Sequence, residues 1–148
     1  MDFYADMCRD ARGWLKVYGH QQWERLSEDK VALAFFRLMH CLPLAVPRTF
    51  ESSTEPLPTL TMTEAGGLVQ LRAEVEAGAP LWPRLSTTTS RNHADGLLND
   101  WGSSHFHLGT ALREDGFIDR TDHAAFAMLI DDRFLLLHVL PHGVMLQV

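Results

Sequence analysis

A chain of 148 residues with 46% hydrophobic and 22% charged side chains has ordinary globular composition, which excludes a disordered chain. Its apolar runs, such as Leu135 to Leu137, fall far short of the ~20 residues needed to cross a bilayer. The net charge of −6 is uneven, because residues 1–50 carry seven basic and six acidic side chains and residues 51–148 carry six and thirteen. The acidic second half would repel a phosphate backbone and argues against broad nucleic-acid binding.

The length suits one α+β domain over residues 1–148, with a helical part at about 1–45, a connection at about 46–62, and a helix plus antiparallel sheet at about 63–148. The opening Met1-Asp2-Phe3-Tyr4-Ala5-Asp6 has neither the basic region nor the apolar core of a signal peptide, so a cytoplasmic location is expected. Phe3, Met7, Ala11, Trp14 and Tyr18 recur at helical spacing, and Gly19 follows as a C′ residue. Cys8 and Cys41, far apart and in apolar helical surroundings, read as buried thiols and not as a disulfide.

A second helix is signalled by Ser27 as N-cap, with Glu28 and Asp29 in the first turn and Pro43 as its stop. Its stripe is Val31, Ala34, Phe35, Leu38 and Leu42, widened by Ala32, Phe36 and Met39. Four prolines between Pro43 and Pro58 then predict an extended connection. A third helix begins near Thr63, carries Leu68, Leu71 and Val75 on one face, and stops at Gly78 and Pro80. The Ser- and Thr-rich stretch 86–93 reads as a loop or a ragged helical turn.

Beyond Gly102 the period changes from helical to two. Ser104 to Thr110, Ala124 to Ile130, Phe134 to Leu140 and Val144 to Val148 are predicted strands, with turns at Asp131-Asp132-Arg133 and Pro141-His142-Gly143. Helices first and strands last give an α+β architecture, the N-terminal helices packed on a C-terminal antiparallel β-meander.

The chemistry concentrates around Asp95 to Thr110. Side chains two apart on a strand share a face, so His105 and His107 point one way and Phe106 and Leu108 the other. Two neighbouring imidazoles lower one another's pKa, which suits acid–base chemistry, with Arg120 to hold an anion. Asn99, Asp100, Trp101 and His123 are candidates for binding or orienting a substrate, although Asn99, Asp100 and Gly102 also make a good strand-launching turn. That reading needs no cofactor. The same pair equally suits a divalent metal, with His138 as third ligand and His123 or His142 as alternatives. His138, among Phe134, Leu136 and Leu140, also reads as an ordinary core histidine. Walker A, dinucleotide and zinc-finger patterns and CxxC pairs are absent.

The segment Gly96 to Gly109 resembles a bacterial family of uncharacterised small proteins carrying a GLLNDWG-x-x-H-x-H-L-G signature, and the likeness extends from about Leu71 through the LWPRLS stretch at 81–86. The order of elements is also loosely similar to RelE-like toxin nucleases, which would imply a metal-independent phosphodiesterase acting on RNA. A cupin is not expected, because the nearest acid after the histidines is Glu114, which puts the spacing off, and too few strands remain. A non-catalytic module is the third reading, its final strand edge pairing with a partner protein or a second copy. No membrane association is expected.

Overall fold

A computed structural model describes residues 2–18, 22–86 and 102–142. The predicted final strand at 144–148, Gly19, and the loop beyond Ser86 lie outside the described residues. The chain divides into two compact units, one holding the described residues up to Leu42 and the other those from Pro43 onward. Among the described residues no helix is long and apolar enough to cross a membrane.

The first unit is a helical pair, α1 (Phe3–Val17) and α2 (Glu28–Cys41). The Asp2 carboxylate accepts from the Tyr4 and Ala5 backbone amides and caps α1. Ser27 occupies the N-cap position of α2 in extended conformation, but its hydroxyl makes no capping bond. Cys8, Ala11 and Leu15 face Val31, Ala34 and Leu38 in the core, and Met7, Tyr18, Trp23, Leu26, Phe35 and Leu42 pack around them. The α1 stripe is therefore rotated from the expected one. Phe3 and Trp14 are 80% and 48% exposed, because spacing 8–11–15 brings small Cys8 and Ala11 to the helix contact. Phe36 and Met39 are likewise exposed, which narrows the expected wide face of α2. Both cysteines are free, Cys8 buried and Cys41 half-buried.

The second unit contains β1 (Thr49–Ser52), α3 (Met62–Ala77), a 3-10 turn at Trp82–Arg84, then β2 (Ser103–His107), β3 (His123–Ile130) and β4 (Arg133–Pro141). Helices first and strands last give the expected α+β class. The sheet order is β1-β4-β3-β2. The pairs β2/β3 and β3/β4 form the expected antiparallel meander, and Asp131 turns the β3–β4 hairpin at φ +49°, a conformation Asp tolerates. One correction concerns the connection. Residues 49–52 form a strand parallel to β4, with Thr49 opposite Arg133, so the sheet is mixed. The flanking prolines leave just enough donor-bearing backbone for a short edge strand, and the long path from Ser52 to Arg133 supplies the crossover that parallel pairing needs.

Register divides the sheet into two faces. Phe106, Ala125 and Val139 are opposite one another and fully buried. Phe134 extends this layer, its ring 5.3 Å from Phe106 and 5.2 Å from Phe50. Helix α3 lies on this side, with Leu71 and Val75 buried and Arg72 over the Phe50 ring. Capping fixes α3 at both ends: Thr61 and Glu64 form a capping box, and Gly78 closes the helix at φ +69°. The other face carries His105, His107, Ala124, Phe126, His138 and Leu140.

Strand β2 ends at His107, short of the predicted Thr110. Arg84, 1% exposed, explains the exit. Its guanidinium donates to the carbonyls of His107 (3.1 Å) and Gly109 (3.2 Å), while Glu74 of α3 clamps it through contacts of 2.6 and 2.8 Å. Both carbonyls accept from one side chain at the point where the chain leaves β2. The arginine of LWPRLS thus meets the HxHLG stretch through hydrogen bonds to two of its carbonyls, while its ion pair is with Glu74 of α3.

Candidate metal centre

The pleat does what the sequence predicts at His105-Phe106-His107. Phe106 enters the core and the two imidazoles emerge together on the opposite face, 6.0 Å apart between ring centroids. Their exposure differs. His105 is half-buried beside Phe126, with centroids 5.9 Å apart, whereas His107 is only 1% exposed.

His142 lies over His107. It follows β4 directly, and its backbone amide donates to the carbonyl of Asp122, at the entrance to β3. That bond extends the β3–β4 register one step beyond the His123–Pro141 pair. The exposed His142 ring stacks on His107 at 5.0 Å and 14°, and stands 6.1 Å from His105. One nitrogen from each of the three rings lies within 4.8 Å of the others.

Neither ring nitrogen of His107 hydrogen-bonds to any described residue, although both are buried. Leaving buried polar groups unpaired costs about 1–3 kcal/mol, so such atoms call for a ligand. Burial first, then the His142 and His105 rings, then Arg120 and Arg113, lower the His107 pKa to about 3. The ring is therefore neutral at physiological pH, the state in which imidazole binds a metal.

The other predicted residues are placed elsewhere. His138 shares the histidine face, but its Nδ1 accepts from the Val139 amide at 2.8 Å and it stands outside the trio. His123 turns its ring to Glu64 at 3.0 Å. Arg120 is exposed, and its charge acts on His107. Asn99, Asp100 and Trp101 lie outside the described residues.

Two buried charged residues near the site carry no signal in the strand pattern, Arg84 against the His107 carbonyl and Glu64 against His123. The pattern Thr61-x-x-Glu64 is a capping-box signature that could have located the second. Glu64 is 1% exposed and accepts four contacts, from the Thr61 amide and hydroxyl, the His123 amide and the His123 ring. Burial raises its pKa, but these bonds outweigh burial and hold it at about 2, against an ordinary 4.5.

Because the folded-state value is the lower one, this carboxylate's contribution to stability is complete above about pH 4.5. It is lost as pH falls toward 2, by up to about 3 kcal/mol. Urea melts between pH 6 and 3 should show a steeper loss below pH 4.5 in the wild type than in Glu64→Gln. Parallel loss in both proteins would contradict it.

No protein-family model matches the chain, and neither a curated protein nor a solved structure matches it.

Proposed function

We propose that this protein binds a divalent transition-metal ion through His105, His107 and His142. The observation that carries this reading is a buried, neutral His107 with both nitrogens unpartnered among the described residues, in a trio whose donor atoms lie within 4.8 Å of each other. An all-imidazole donor set suits zinc, copper, nickel or iron, and serves magnesium and calcium poorly, since those prefer oxygen. Three imidazoles are also the protein donor set of some catalytic zinc sites, where the ion acts as a Lewis acid or activates water.

The acid–base reading of His105 and His107, with Arg120 on a phosphate, has less support. A ring that titrates at about 3 has no proton to give near neutrality and is a weak base there. The acidic second half further disfavours RNA as substrate.

Elemental analysis and Zn²⁺ titration of untagged protein test the proposal. About one equivalent per chain is expected, and saturation at a hundredfold excess over Kd should add about 2.7 kcal/mol to the unfolding free energy. His107→Ala or His142→Ala should lower affinity by roughly a hundredfold or more, beyond the usual effect of an outer-shell partner. His138→Ala should leave affinity unchanged. Substoichiometric zinc in the wild type, or full affinity in His107→Ala, would overturn the proposal.

A further inference from the structure

We infer that Glu64 is a positioning residue for this centre, setting the place of His142 through the Asp122–His123 junction; the inference rests on the metal-binding reading. A capping box needs only one carboxylate oxygen. Here Oε2 serves it, accepting from the Thr61 amide at 2.9 Å and the Thr61 hydroxyl at 3.0 Å. The second oxygen, Oε1, does nothing for the helix end. It accepts from the His123 amide at 3.0 Å and meets His123 Nδ1 at 3.0 Å.

Those contacts pin the start of β3 to the start of α3. The residue just before His123 is Asp122, whose carbonyl receives the His142 amide, and His123 is itself opposite Pro141 in the ladder. The chain on both sides of the His142 tether is thus referred to one buried carboxylate. The two other ligands have further anchors: His105 and His107 are paired along the β2–β3 ladder, and Arg84 grips the His107 carbonyl. Loss of Glu64 should therefore act on His142 in particular. Outer-shell partners of metal ligands are orienting groups of this kind, typically worth about 10–100-fold in affinity.

Zn²⁺ affinity measured for wild type, Glu64→Gln, His142→Ala and the double variant tests the role. Glu64→Gln should weaken zinc binding about tenfold in the wild-type background and have little further effect once His142 is gone, because both act through one ligand. Thr61→Ala, which removes the two hydroxyl contacts on the helix-cap side and leaves both contacts to Oε1, should lower the melting temperature and leave zinc affinity unchanged. If Glu64→Gln does not fold, His123→Ala takes its place, since it removes the ring but not the amide from Oε1 and leaves the cap intact; a smaller loss of zinc affinity, again absent once His142 is gone, is expected. An equal loss in both backgrounds would reduce Glu64 to general support of the fold and overturn the inference. So would a wild type that binds zinc with an affinity Glu64→Gln does not alter, an outcome that leaves the metal site standing. No zinc uptake by the wild type removes the site and this role together.

Discussion

Arg84→Met is expected to lower the unfolding free energy by about 3 kcal/mol or more, the largest loss foreseen for any single polar group in the sheet unit. Methionine fills much of the same space, so the effect isolates the guanidinium. That group is 1% exposed and has a two-point contact with Glu74, in addition to bonds to the carbonyls of His107 and Gly109 and to Gln70 at 3.3 Å. Removing it orphans two carbonyls where the chain leaves β2 and strands a carboxylate that is only one-third exposed. Arg84→Lys should recover little. A single ammonium cannot meet a bidentate carboxylate and two carbonyls at once, so a loss of about 2 kcal/mol is expected even with the charge retained. Denaturant melts at neutral pH measure both. A cost under about 1 kcal/mol for the methionine variant would mean that the clamp does not hold the strand exit.

The histidine pair on β2 was legible because it needs only the two-residue period of a strand, a local property. Helix bounds were legible for the same reason: Pro43, Gly78 and Pro80 act on the backbone next to them. Strand β1 was hidden by its prolines and by a partner, β4, some eighty residues later in the chain, a pairing that no local pattern encodes. The stripe of α1 was misplaced because its large aromatics fit helical spacing as well as the smaller residues that make the contact.

The third histidine turned on register. His138 is opposite Phe126, which is opposite His105, so one whole strand separates the two imidazoles by roughly 10 Å. Strand β4 also carries an extra residue, Leu137, at the step between Phe126 and Ala127, which shifts everything beyond it. His142 continues that register one step beyond the His123–Pro141 pair, its amide bonded to the Asp122 carbonyl, and its ring stacks on His107. Alternation along one strand says nothing of a bulge in another, so the choice between His138 and His142 required coordinates.

Gly67→Ala should be the most damaging conservative change in the protein, and its neighbour supplies the control. Both glycines lie inside α3, where alanine is intrinsically favoured by about 1 kcal/mol, so helix propensity alone predicts that both substitutions stabilise. Surroundings reverse the sign at one of them. A Cβ on Gly67 would stand 1.8 Å from the Leu108 carbonyl oxygen and 2.5 Å from its carbon, both backbone atoms of the segment leading out of β2. No side-chain rotation relieves that contact, so α3 must retreat from the strand exit that Arg84 also holds. A net loss of about 3 kcal/mol or more is expected, at the upper end of overpacking costs. On Gly66 the nearest atom is the Thr110 methyl at 3.6 Å, an ordinary contact, so Gly66→Ala should be neutral or stabilise by up to about 1 kcal/mol. Thermal melts of the two variants should therefore move in opposite directions or differ by several kcal/mol. Equal shifts would mean that α3 does not press against Leu108, and that the exit of the histidine strand is held in some other way.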